Sequence, residues 1–67
     1  MAKIQLNGRK LELNNKYTIA TLLKRYKINS KKIAVELNGT IINHSKFKLT
    51  FIKNKDKIEI VHFIGGG

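Results

Sequence analysis

Cysteine is absent from this chain of 67 residues. That excludes a disulfide framework, a thiolate metal site and a cysteine nucleophile, so stability must come from packing alone. Acidic residues are nearly as scarce, with four against 14 Lys and Arg. Those four acids and two histidines far apart in sequence form no metal or general-acid constellation, and no metal is expected. No apolar run approaches the roughly 18 residues of a membrane span. Residues 1–6 run directly into an alternating pattern, without a signal peptide or an Arg/Ser-rich transit peptide. The expectation is a soluble protein, off the membrane, acting in the compartment where it is made. Proline, linkers and repeats are also missing, which leaves one domain. A chain this short buries only about 60% of its unfolded surface. That is too little to enclose a substrate pocket with its own catalytic groups.

What is abundant is lysine. The net charge of +10 raises the question of nucleic acid. However, 12 Lys, 7 Asn and 10 Ile make up 29 of the 67 residues, against only two Arg. All three are residues with A/T-rich codons, and the lysines are spread along the whole chain. A reader of bases or phosphates would favour the planar fork of Arg. Compositional bias accounts for the charge better than nucleic-acid binding does. A basic surface could still steer the chain toward an acidic partner.

The elements follow from periodicity. Residues 3–7 and 9–13 alternate around Asn7-Gly8, with Ile4, Leu6, Leu11 and Leu13 inward. Asn-Gly is the strongest short signal for a type I′ hairpin. Residues 18–27 form the one helix. Thr18 is its N-cap, Tyr17 and Leu22 have staple spacing, and Ile19, Leu22, Leu23 and Tyr26 form one apolar stripe. Tyr26 is expected to pack in the core. A third strand, 33–37, leads through Asn38-Gly39 into a short fourth, 40–43. Residues 44–48 read as an irregular or single-turn segment anchored by Phe47, and 49–52 as a short strand or extended connection. Asn54-Lys55-Asp56 is a turn, and 57–64 is the last, longest and central strand, with Ile58 and Ile60 inward. The order predicts an α+β fold, a mixed sheet of four to five strands with one helix on one face.

The chain then runs into Gly65-Gly66-Gly67. Glycine buries nothing and loses most freedom on ordering, so these residues serve no folding purpose. Three of them reach roughly 10 Å, enough to thread a narrow channel and present a carboxylate. A frayed terminus is the bland alternative. The division expected is a domain over 1–64 and a functional tail over 65–67. Val61 and Phe63 alternate to the face opposite Ile58 and Ile60. Phe63, Val61 and Ile64 beside the tail are the candidate partner contacts, since aromatic anchors are enriched at interfaces. For Phe63, covering the sheet edge is the other reading. His62 is expected to be packed or hydrogen-bonded, and His44 to lie at the surface.

Residues 33–39, Ile-Ala-Val-Glu-Leu-Asn-Gly, and 56–67, Asp-Lys-Ile-Glu-Ile-Val-His-Phe-Ile-Gly-Gly-Gly, resemble the ThiS family of sulfur carriers in thiamin biosynthesis. The first half resembles it by pattern only, a hairpin and then Thr-x-x-x-Leu-Leu on the helix. At 54–56 the family usually has an acidic-Gly-Asp turn, and at 43–44 it tends to Pro and a basic residue; this chain has Asn-Lys-Asp and Asn-His. The resemblance implies a ubiquitin-like β-grasp fold. It implies a carrier, not itself an enzyme, whose Gly67 carboxylate is adenylated and becomes a thiocarboxylate, with Gly65 and Gly66 keeping access open. The implied partners are a ThiF-like adenylating enzyme that uses ATP and Mg, a persulfide sulfur donor, and a ThiG-like thiazole synthase. The carrier binds no cofactor, nucleic acid or membrane and is a monomer when alone. The expected location is the cytoplasm, or the plastid stroma if the gene is organellar. The alternatives are a MoaD-like subunit of molybdopterin synthase, a basic nucleic-acid-binding β-grasp domain, and a protein-conjugating modifier.

Overall fold

The computed structural model describes residues 1–14 and 16–63. In chain order it holds β1 (Ala2–Leu6), β2 (Arg9–Leu13), α1 (Ile19–Arg25), β3 (Ile33–Leu37), β4 (Thr40–Ile42) and β5 (Lys57–His62). Single 3-10 turns lie at Ser30–Lys32 and His44–Lys46. The strands form one five-stranded sheet in the order β2-β1-β5-β3-β4. β1 and β5 run parallel, and the remaining pairs are antiparallel. This is the expected β-grasp arrangement, with β5 both the longest strand and the central one. Of residues 49–52, expected as a strand or extended connection, Leu49 closes a turn with its N–H on the Lys46 carbonyl at 3.0 Å, and the rest is tied to the helix entry by one bridge between Thr18 and Phe51.

Both hairpins turn as Asn-Gly demands. Asn7 and Gly8 have φ of 50° and 81°, and Asn38 and Gly39 have 52° and 85°, the positive values a type I′ turn requires at both positions. Alternation then sorts each strand. Ile4, Leu13, Ile33, Val35, Ile58 and Ile60 face one side and are buried. Ile19, Leu22 and Leu23 of α1 cover them, with Phe47 and Ile52 closing the core from the connecting segments. Each such side chain contributes roughly 1.5–3 kcal/mol by leaving water.

The helix starts as the sequence indicates, with Thr18 Oγ1 accepting from the Thr21 N–H at 3.1 Å. It ends earlier than expected. Arg25 is its last residue and Lys27 takes φ of 56°. The Ile28 N–H reaches the Leu23 carbonyl at 2.9 Å and the Lys27 N–H reaches the Lys24 carbonyl at 3.1 Å, the paired bonds of a Schellman end. Tyr26 therefore leaves the apolar stripe. It is 41% exposed instead of packed in the core, and its ring lies 5.9 Å from the Arg25 guanidinium. Ile28, folded back by the cap, packs against the core instead.

The turn before β5 carries the largest positive φ of any non-glycine residue described, 73° at Lys55. It is held from several sides: Lys53 N–H donates to Asp56 Oδ2 at 2.7 Å, Lys55 N–H to the Lys3 carbonyl at 2.7 Å, and Lys3 N–H to Asn54 Oδ1 at 2.8 Å. A left-handed conformation costs a non-glycine residue about 1–2 kcal/mol. Lys55→Gly is expected to raise stability by about 0.5–1 kcal/mol after the larger entropy of glycine in the unfolded chain is counted. Urea titration reads the change directly, and a loss of stability would contradict it.

Candidate functional site

β5 carries the chain to Phe63, the last residue described, so the site is built on what grips that strand. On one flank, β3 pairs with it over five residues, ending at Ile33 opposite His62. The Phe63 N–H then donates to the Lys32 carbonyl at 2.9 Å. On the other flank, β1 pairs with β5 only at Gln5 with Lys57 and Leu6 with Ile58 before turning away. Asn7 continues the ladder from within the turn. Its N–H donates to the Ile58 carbonyl at 2.9 Å, and its Oδ1 accepts from the half-buried Ile60 N–H at 2.7 Å.

Asn38 does the same work at the start of the strand. Its Oδ1 accepts from the Lys57 N–H at 2.8 Å, and its Nδ2 donates to Asp56 Oδ1 at 2.9 Å. Both Asn-Gly turns thus brace the central strand through their asparagine side chains. A buried peptide N–H left without a partner costs about 1–3 kcal/mol, and Asn7 spares the half-buried Ile60 N–H part of that cost, while the Lys57 bond is exposed. Sequence reasoning finds the turns but misses the braces, because Asn7 and Ile60 are 53 residues apart.

Val61 and Phe63 lie on the open face, 56% and 58% exposed. Ile64, Gly65, Gly66 and Gly67 lie outside the described residues. The alternation and the strand register add what the sequence did not reveal. Ile41 of β4 is on the same face and 71% exposed. Its neighbour across the ladder is Glu36, whose neighbour on β5 is Glu59.

The histidines divide. His62 sits at the end of β5, exposed rather than packed, where Ile60 is the last buried residue among those described. His44 is at the surface, with Nε2 donating to the Ser30 carbonyl at 2.7 Å and its ring 4.7 Å from that of Phe47. It ties the two 3-10 turns together. Among the described residues, no three His, Asp or Glu side chains come together to hold a metal ion, and no helix is long and apolar enough to cross a membrane.

The fold grips its last strand up to Phe63, and comparison with known proteins places the chain in a family. The ThiS family model matches residues 3–67, tail included. The sulfur carrier protein ThiS of Bacillus subtilis (strain 168) is 38% identical over 65 residues, covering 96% of this chain and 98% of that one. A thiazole synthase of Paramagnetospirillum magneticum is 37% identical over 65 residues, 97% of this chain but only 20% of the synthase. The crystal structure of the thiamine biosynthesis protein ThiS from Geobacter metallireducens superposes with a TM-score of 0.85 at 28% identity, over 97% of this chain and 99% of that one. Element order, a central final strand and a match that runs through Gly67 agree: this chain belongs to the ThiS family.

Proposed function

We propose that the chain is the sulfur carrier of thiazole formation in thiamin biosynthesis, with Gly67 as its reacting terminus. The observation that carries this reading is the extent of the family match, which runs through the glycine tail to residue 67. An α-carboxyl has a pKa of about 3.3–3.7 and is an ionised, poor electrophile at neutral pH, so it must be activated. A ThiF-like enzyme holding MgATP joins a Gly67 carboxylate oxygen to AMP and releases pyrophosphate. The terminal sulfur of a persulfide then attacks the Gly67 carbonyl carbon, and AMP leaves. A second thiol cleaves the resulting acyl persulfide at its inner sulfur. That step forms a disulfide and frees the thiocarboxylate. The sulfur comes from outside, since this chain has no cysteine. A ThiG-like thiazole synthase receives it.

The carrier's own residues supply presentation rather than chemistry. Gly65 and Gly66 lack the side chains that would block a narrow approach. Val61 and Phe63 offer the docking contact beside the tail, with Ile64 next in line. The chain acts as co-substrate of its partners, binds no cofactor itself, and works in the cytoplasm or the plastid stroma.

Mass spectrometry tests the proposal. After incubation with a ThiF-like enzyme, MgATP and a persulfide donor, the intact chain should gain the mass difference of one oxygen replaced by sulfur. No gain would overturn it. A gain only with the adenylating enzyme of the molybdopterin pathway would reassign the carrier to that pathway.

A further inference from the structure

The open face of the sheet carries a feature that folding does not need. Glu36 and Glu59 are directly paired across β3 and β5, both pointing away from the core. Opposite residues of an antiparallel pair have Cβ atoms about 4.5–5.5 Å apart, and like charges there are destabilising. The chain has only four acidic residues against 14 basic ones, yet two of the four are set side by side. Lys57, two residues before Glu59 on the same face, is the one Lys or Arg on β3 and β5 themselves, and Lys3 lies on the neighbouring β1.

Toward β4 and Phe63 the face is apolar, whereas on the β1 side it carries Lys57, Gln5 and Lys3. Ile41 lies across from Glu36, Val61 follows Glu59 on its strand, and Phe63 continues toward the tail. All three are more than half exposed. The patch is thus continuous with the exit of the chain.

We infer that this face seats an apolar surface of the thiazole synthase that carries an Arg or Lys at its edge, received between Glu36 and Glu59. The inference rests on the carrier function proposed above. Charge complementarity selects the side chain: a basic group relieves the repulsion between the two carboxylates and is charge-paired as it leaves water. Elsewhere the net charge of +10 repels such a group, so the pair marks one place where it is accepted, and register is fixed as much by rejection as by attraction. The synthase is the chosen occupant because a domain of this kind forms about 20% of the length of the Paramagnetospirillum thiazole synthase, where the two parts share one polypeptide.

The test compares the wild-type chain with an E36Q/E59Q variant. Calorimetric titration against the thiazole synthase from the same genome should give binding about tenfold weaker for the variant, with a shallower dependence on salt. Its melting temperature should equal or exceed that of the wild type, because the repulsion is gone. Sulfur loading by the adenylating enzyme, read by mass, should be unchanged. The inference is overturned if the variant binds the synthase within about twofold of wild type, if the wild type shows no binding, if sulfur loading falls while synthase binding holds, or if weaker binding comes with a lower melting temperature. These outcomes leave the carrier function standing when the wild type loads sulfur. A wild type that loads none overturns the carrier function itself.

Discussion

Deleting Gly66 and Gly67 is expected to abolish sulfur loading and leave the melting temperature unchanged. Among the described residues the buried core ends at Ile60, and the last backbone bond to β3's side of the sheet is Phe63 N–H to the Lys32 carbonyl. The deletion lies beyond both. A basic nucleic-acid binder would keep its affinity after the same deletion, so the variant also separates those functions. Extension is the stricter form of the experiment. One added residue displaces the reactive carboxylate by about 3.5 Å, and a misplacement of about 1 Å can already cost on the order of a hundredfold. A Gly67 extended by one alanine should load sulfur at least about a hundredfold more slowly. Mass spectrometry reads the loading and a thermal melt reads the fold. Loading at the wild-type rate would show that Gly67 is not the reacting residue.

Ile58→Ala is expected to remove about 2–5 kcal/mol of stability, a large share of the total, while barely changing local sequence character. Ile58 is 1% exposed and stands opposite Leu6 of β1 on one side and Leu37 of β3 on the other. It joins the N-terminal hairpin to the C-terminal half of the sheet. Truncating such a residue costs about 2–5 kcal/mol. At about 0.05–0.15 kcal/mol per residue, a chain of this length has about 3–10 kcal/mol in all. Val61→Ala, three residues on and on the exposed face, should stay within about 0.5 kcal/mol. Urea titration of the two variants beside wild type gives both numbers. Equal losses would mean that the two faces of β5 do not differ as the burial pattern says.

The elements legible in the sequence were those fixed by local chemistry. Asn7-Gly8 and Asn38-Gly39 need positive φ at both turn positions whatever surrounds them. Alternation fixed the inward faces of all the longer strands for the same reason, since neighbouring side chains of a strand must point opposite ways. The Thr18 cap needed only its own first turn. The helix end was misread because it depends on packing. Ile28, not Tyr26, found room against the core, and a Schellman end through Lys27 let the chain reverse to place it. Lys at that left-handed position gives no warning in the sequence, where glycine would have. His62 departs from expectation in the same way: a packed or hydrogen-bonded residue is expected, but it is exposed at the end of β5.

The sequence by itself determined that the chain is one small cysteine-free α+β domain ending in a glycine tail, and it carried the pattern of the family. Those properties rest on composition, periodicity and short motifs, which are local. Only the tertiary structure decided which residues stand opposite one another. The register of β5 against β3 sets Glu36 beside Glu59 and brings Ile41 onto the face of Val61 and Phe63. The path of the first hairpin lets Asn7 hold the Ile60 N–H from 53 residues away. Long-range pairing is chosen by the closure of one shared core. No stretch of sequence holds it alone.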